Sequence, residues 1–234
     1  MEMYKMKSLF LFLLLLLSCA GAMESESPWV NLFDGKTLTG WQQMGGAAIY
    51  EVRDGKIVGT TVADTPNSFL TTLAEYDDFI LEVEFKVDPP LNSGIQVRSK
   101  SSPQYKDGRV HGYQVEIDPT KRAMSGGIYD EARRGWLYKL DDNPRAQQAF
   151  KLDDWNHYRV EAIGDTIKTW VNGIPAAHII DNVTAKGFIG LQVHSLHKGE
   201  DPGLKVAWRK VKIITKNPMK YSKKSPLKPI YITE

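Results

Sequence analysis

The run FILEVEFKV, from Phe79 to Val87, alternates almost strictly, with Leu81, Val83, Phe85 and Val87 on one side and Ile80, Glu82, Glu84 and Lys86 on the other. A period of two marks a strand with one buried and one wet face. That pattern suits antiparallel pairing and excludes the doubly covered parallel sheet of α/β folds. Further strands are predicted at Ser93 to Arg98, Tyr113 to Ile117, His157 to Ile163, Thr166 to Val171, Phe188 to Ser195 and Lys205 to Ile214. Two hairpins are marked by Asp54-Gly55 in YEVRDGKIVG and Asn172-Gly173 in WVNGIPAA, dipeptides that accept the positive φ angles of a two-residue turn. No amphipathic helix of useful length is predicted. Many short strands at even spacing predict an all-β chain folded as a two-sheet antiparallel jelly-roll sandwich. The segment from Gly126 to Lys151 has no clean period and is expected to be a long loop with a functional role.

The ends of the chain read differently. Lys5 and Lys7 precede the apolar run Leu9 to Leu17, too short to span a bilayer, so residues 1–22 are expected to be a secretion signal. Leu16-Leu17-Ser18-Cys19 resembles a bacterial lipoprotein box, while Ala20-Gly21-Ala22 fits a signal-peptidase site. The lipoprotein reading gives the only cysteine, Cys19, a role as the lipidated residue and the chain's only attachment to a membrane. Export to the periplasm, or anchoring at the outer membrane of a bacterium, follows as an expectation. Residues 23–28 form a polar spacer, 29–215 the folded domain, and 216–234 a Pro- and Lys-rich tail expected to lie along the domain or to be flexible. A formal net charge of +2 gives no reason to expect a nucleic-acid partner.

Strand parity brings candidate chemistry together. In SGIQVRS, Ile95 and Val97 are assigned to the core, which leaves Gln96 and Arg98 on the opposite face. In GYQVEID the core takes Tyr113, Val115 and Ile117, leaving Gln114, Glu116 and Asp118; in GLQVHS it takes Leu191 and Val193, leaving Gln192 and His194. Amides beside a guanidinium, carboxylates and an imidazole supply the donors and acceptors that sugar hydroxyls require, provided the three strands are neighbours. Trp136 and Tyr138, with Tyr129 nearby, are candidates for stacking on a sugar ring. His111, His157, His178 and His197 read as structural or surface residues, and the histidine spacing matches no structural zinc motif.

The motifs NLFDGKTLTGWQ, SGIQVRS, GYQVEID, GGIYD, DWNHYRVEAIGDTIKTWVNG and GFIGLQVHS, in this order, resemble the bacterial 3-keto-disaccharide hydrolase domain, from about Trp29 to Ile214. The resemblance implies a jelly roll of the concanavalin-like lectin and glucanase type. It also implies an oligosaccharide or glycoside substrate already oxidised to a ketone at sugar carbon 3, and hence a sugar oxidoreductase as partner. The ketone acidifies the hydrogen on carbon 2, so that a base can remove it and the glycosidic oxygen can leave by β-elimination; water addition completes a net hydrolysis. That chemistry needs a base, an oxyanion stabiliser and an acid. On the parity-defined face Glu116 is expected to be the base, Arg98 the partner of the developing enolate and His194 the acid or an orienting group, with Gln96, Gln114, Gln192 and Asp118 binding hydroxyls. The one cofactor to consider is a divalent metal ion held by carboxylate and imidazole, which could replace Arg98 as the electrophile.

Two alternatives stand beside this reading. One is a non-catalytic carbohydrate-binding module. The other is a conventional glycosidase using Glu116 and Asp118 as a carboxylate pair. Asp118 is followed by Pro119-Thr120-Lys121-Arg122, so the acid/base carboxylate of the glucanase pattern is missing, and Asp before Pro also suits a turn.

Overall fold

A computed structural model describes residues 27–196 and 198–233. The secretion signal, Cys19, residues 23–26 of the spacer and His197 lie outside the described residues. Sixteen strands follow in chain order: β1 (Val30–Asn31), β2 (Trp41–Gly45), β3 (Ile49–Arg53), β4 (Lys56–Thr60), β5 (Ser68–Thr72), β6 (Phe79–Val87), β7 (Ser93–Lys100), β8 (His111–Ile117), β9 (Ile128–Glu131), β10 (Gly135–Tyr138), β11 (Asn156–Ile163), β12 (Thr166–Val171), β13 (Ile174–Ile180), β14 (Phe188–Val193), β15 (Lys205–Ile214) and β16 (Ile230–Tyr231). The one α-helix among the described residues is the short α1 (Pro144–Gln147).

The strands form two sheets. One has nine strands, in the order β16-β13-β12-β11-β6-β15-β4-β3 with β1 added beside β15; the other has seven, in the order β10-β9-β8-β7-β14-β5-β2. All pairings are antiparallel except the parallel contact between β13 and β16. Alternation does what the sequence pattern demands: Leu81, Val83 and Phe85 of β6 meet Ile95, Val97, Val115 and Leu191 of the seven-stranded sheet in a continuous apolar core. Phe85 and Tyr158 pack edge to face at 4.5 Å within it. Both hairpins form, with Asp54 and Gly55 at φ 48° and 72° and Asn172 and Gly173 at 49° and 83°. The segment expected to be a long loop is instead ordered: β9 and β10 extend the seven-stranded sheet at its edge, and α1 follows.

The basic tail is docked, not free. Beneath it Glu161 is fully buried, paired with Arg159 at 2.8 Å and with Lys168 at 2.8 Å. Ser222 Oγ and Lys223 N donate to the same carboxylate, and Arg159 Nη2 donates to Tyr221 O at 2.6 Å. A buried ionic group is tolerable only when its hydrogen-bonding capacity is met, so the tail completes an ion network on the outer face of the nine-stranded sheet.

One departure from the expected alternation matters for function. Between Val97 and Lys100, β7 uses three steps where β8 uses two, and the same extra residue is seen against β14 between Phe188 and Gly190. This β-bulge, with Arg98 at φ 48°, reverses the parity of the strand end. Arg98 therefore leaves the Gln96 face, in correction of its expected place. Its Nε donates to Asp77 O, Nη1 to Gly164 O, both at 2.7 Å, and Nη2 meets Asp78 Oδ1 at 3.1 Å. Gly164 lies in the β11–β12 turn, so Arg98 ties one sheet to the other. At Gly187 a Cβ would stand 2.3 Å from Ser99 O, which is why the chain facing the bulge carries no side chain there. Replacing Arg98 by Leu is expected to lower stability by about 1–3 kcal/mol, because three charge-assisted hydrogen bonds of a buried guanidinium, and the tie between the sheets, are lost. Urea unfolding measures it, and an unchanged midpoint would contradict the structural role.

Candidate active site

The three strands singled out by parity are neighbours, in the order β8-β7-β14. Gln96 of β7 lies opposite Gln114 of β8 and Gly190 of β14, and Gly94 lies opposite Glu116. A Cβ at Gly94 would stand 2.4 Å from Gln114 Cδ, so the glycine makes the space into which the Gln114 amide folds. There the side chains form a one-way relay. Ser99 Oγ donates to Gln96 Oε1 at 2.7 Å, Gln96 Nε2 to Gln114 Oε1 at 2.6 Å, and Gln114 Nε2 to Glu116 Oε2 at 2.9 Å. Each amide spends its oxygen on the previous residue and its nitrogen on the next, which fixes the orientation of Glu116.

Glu116 is only 4% exposed. Its Oε1 accepts from Asn92 Nδ2 at 2.7 Å and from Arg122 Nη2 at 3.0 Å. Burial, which penalises the charged form, outweighs these donors and the nearby cation and pushes its pKa up to about 7. Its backbone is held as firmly, because the Tyr158 hydroxyl crosses from the other sheet to the Glu116 carbonyl. Asp118 organises the loop that delivers Arg122: its carboxylate accepts from Thr120 N and Oγ1, Met124 N and Arg122 Nε. Arg122, half-exposed, also lies over the Trp136 ring with its guanidinium carbon 5.6 Å from the centroid.

A cleft of about 380 Å³ opens above this floor, lined by Gln114, Glu116, Tyr129, Trp136 and His194 together with Asn67, Asn92, Arg109, Arg122 and Glu131. Tyr129 and Trp136 meet edge to face, centroids 5.3 Å apart, on the β9–β10 hairpin. At the end remote from Glu116, Glu131 is nearly buried beside Arg109 Nη2 at 3.6 Å and Asn67 Nδ2 at 3.4 Å. Burial raises its pKa, against the pull of Arg109, His194 and Asn67. His194 Nδ1 donates to Ser195 O at 2.7 Å, and Ser195 N donates to Asn67 Oδ1 at 2.9 Å, so imidazole and amide are placed by one short stretch of backbone.

Of the residues expected at the site, Gln114, Glu116, Tyr129, Trp136 and His194 line the cleft. Gln96 and Gln192 share the face but are fully buried beneath it; Gln96 acts through Gln114, and the Gln192 amide has no protein partner among the described residues. The structure places two expected residues elsewhere: Arg98 is turned away by the bulge, and Tyr138 packs against the core instead of the cleft. Asp118 lines an adjoining cavity with Asn92, Arg122 and His194, its oxygens accepting from its own loop. The conventional Glu116–Asp118 carboxylate pair therefore has no reactive second member. Residues not singled out from the sequence are Arg109 and Arg122, Asn67 and Asn92, and Glu131. Glu131 shares parity with Tyr129, but that signal is readable only once the segment is recognised as a strand. Among the described residues no group of three or more His, Cys, Asp or Glu side chains is placed to hold a metal ion, and the Glu116 oxygens accept from Asn92, Gln114 and Arg122.

A family model described as the 3-keto-alpha-glucoside-1,2-lyase-like domain matches residues 28–214. Two provisionally named glycosyl hydrolases of Parabacteroides distasonis have similar structures. One has a TM-score of 0.58 at 20% identity, covering 81% of this chain and 94% of that one. The other has a TM-score of 0.55 at 21% identity, covering 79% and 98%. A Bacillus subtilis protein described as having a galectin-like fold has a TM-score of 0.54 at 14% identity, covering 75% and 89%. At these identities the likeness establishes the jelly-roll fold. No curated protein matches the chain.

With the carboxylates of glutamate labelled with carbon-13, Glu116 is expected to titrate near 7 by NMR, well above an ordinary glutamate. Arg122→Met should move it higher still, since the lost cation stabilised the charged form. Titration at an ordinary carboxylate value would show that water reaches the group freely.

Proposed function

The chain belongs to the 3-keto-alpha-glucoside-1,2-lyase-like domain family, and from that premise we propose that it cleaves the glycosidic bond of glycosides already oxidised at sugar carbon 3. The observation that carries this reading is Glu116, a carboxylate with a pKa raised to about 7 and an orientation fixed by the Ser99-Gln96-Gln114 relay. A general base works best when its pKa lies near the working pH. Its substrate proton must also be acidic enough for such a weak base, as the hydrogen α to a ketone is.

Glu116 removes the proton on carbon 2, and negative charge develops on the oxygen at carbon 3, one atom further along. Arg122 and Asn92, both bonded to Glu116 Oε1, stand beside the base where that oxyanion forms, and they take the role first expected of Arg98. Gln114 binds a ring hydroxyl, and Trp136 with Tyr129 offers an aromatic wall to the apolar face of the sugar. Return of the electron pair to carbon 3 forms the double bond between carbons 1 and 2 and expels the glycosidic oxygen; addition of water to carbon 1 gives net hydrolysis. The substrate ketone requires a sugar oxidoreductase upstream. The amino-terminal signal supports export, with Cys19 as the lipidated anchor in the periplasm or at the outer membrane.

A chromogenic glucoside and its 3-keto derivative separate this reading from the others. Release of the phenol from the keto-sugar alone is expected, with kcat/KM rising as pH passes through about 7 because the base must be ionised. Glu116→Gln should lower kcat by roughly 10²–10⁴-fold while KM changes little. Cleavage of the unoxidised glucoside at the same rate would overturn the proposal, and sugar binding without cleavage of either compound would favour a binding module.

A further inference from the structure

A second cavity, of about 400 Å³, adjoins the polar cleft at the end where Glu116 stands. Asn92, Arg122 and His194 line both. Two of these, Asn92 and Arg122, donate to Glu116 Oε1, so the boundary between the cavities runs past the carboxylate itself. Strand register explains the placement. Gly94 pairs with Glu116 and Ser93 with Ile117, so the β7–β8 ladder ends one step beyond the base. Beside it β14, whose Gln192 carbonyl accepts from Ser93 Oγ at 2.7 Å, ends one residue later at Val193. The cavity occupies the space at these strand ends, walled by the segments that enter β7, leave β8 and leave β14.

The two cavities offer different surroundings. The polar cleft presents the Gln114 amide and the rings of Tyr129 and Trp136. The second has an aliphatic wall of Pro90, Leu91, Leu196 and Leu204, and no aromatic ring lines it. Leu91 is buried in the core and Leu204 packs against the same core, so this wall is backed by packed strands. The charges at its rim are spent on one another: Arg122 Nε meets Asp118 Oδ2 at 2.7 Å, and Thr120 Oγ1 donates to Asp118 Oδ1 at 2.6 Å. A hydroxylated ring therefore suits the first cavity and a compact apolar group the second.

A third cavity, of about 660 Å³ around Phe69 and Val110, meets the polar cleft at Glu131. Glu131 shares the register of Gly112, four residues along β8 from Glu116 and so about 13 Å away at the Cα atoms. That is too far for a group bonded to carbon 1 when carbon 2 is at Glu116. The aliphatic cavity begins beside the base.

Resting on the reading of the site as a 3-keto-glycoside cleaving centre, we propose that the oxidised ring lies in the polar cleft and the leaving group in the aliphatic cavity, the scissile bond crossing at Asn92, Arg122 and His194. Carbon 1 is bonded to carbon 2, so the glycosidic oxygen stands two bonds from the carbon that Glu116 deprotonates, and the boundary beside Glu116 meets that requirement. The substrate class is then a 3-keto-glycoside of a compact alcohol with apolar surface, aryl or alicyclic.

Ethyl and cyclohexylmethyl 3-keto-glucosides test the assignment, because both release primary alcohols of similar leaving ability and differ in apolar bulk. Wild type is expected to favour the cyclohexylmethyl compound by about 10–100-fold in kcat/KM, since burial of the extra methylene groups supplies the difference. Leu196→Trp fills the aliphatic cavity and is expected to bring the ratio to within about threefold. Taking the ratio of the two substrates cancels any general loss of activity. Circular dichroism checks that the variant folds, and Glu200→Trp, at an exposed position on the same cavity, replaces it if it does not. Equal kcat/KM for the two compounds in wild type would overturn the proposal. So would a preference that survives filling of the aliphatic cavity, and its loss in Pro66→Trp would then put the leaving group in the cavity at Phe69. If wild type cleaves neither compound, the reading of the site itself fails and takes this assignment with it. Cleavage of both without preference removes the assignment alone.

Discussion

The structure turns on keeping one carboxylate, Glu116, inside a sheet face where water hardly reaches. Such a group costs free energy when ionised, and the fold offsets the cost with three donors, from Gln114, Asn92 and Arg122. Each charge-assisted hydrogen bond contributes about 1.5–3 kcal/mol, yet burial still wins, and the balance leaves a group that titrates near neutrality. Fewer donors would leave it protonated, and more would leave it too weak a base. The need to hold that balance explains the buried amide relay, the missing side chain at Gly94 and the cross-sheet tie from the Tyr158 hydroxyl.

The jelly roll supplies this setting because its seven-stranded sheet faces two environments. One side carries Ile95, Val97, Val115 and Leu191 into the core, and its packing makes the strands stiff. The other side carries amides and a carboxylate, buried not by a second sheet but by the loops that bring Asn92, Arg109, Arg122 and Asn67 over them. Rigid strands thus hold the base while the charged partners come from loops, a division that suits a site built on a constant scaffold. Two ties cross between the sheets: Tyr158 bonds directly to the Glu116 carbonyl, and Arg98 holds the β11–β12 turn.

Much of this was legible from the sequence because strand parity is a strong physical signal. It separated Ile95, Val115 and Leu191 from Gln96, Gln114, Glu116 and Gln192, and both turns marked by Asp54-Gly55 and Asn172-Gly173 form. It failed at Arg98 because a bulge inserts one residue, and nothing in SGIQVRS announces it, since no glycine stands at the residue with positive φ. It missed Glu131 for another reason. The strands β9 and β10 are only four residues each, and β9, between β10 and β8, carries the buried Asp130 on the face that Ile128 shares, so hydrophobic alternation is masked. Arg122 is placed by the loop that Asp118 organises and Arg109 by a loop that meets Glu131 on another strand, and no strand period encodes either.

The central claim is that Glu116 takes the proton from carbon 2, and running the reaction in deuterium oxide tests it most directly. Proton NMR of the 3-keto-sugar product at early times, against an enzyme-free control, is predicted to show solvent deuterium at carbon 2, since the proton passes through an exchangeable carboxyl group in the cleft. Product that retains its original hydrogen at carbon 2 throughout turnover would mean that this carbon–hydrogen bond is never broken, and would contradict the account.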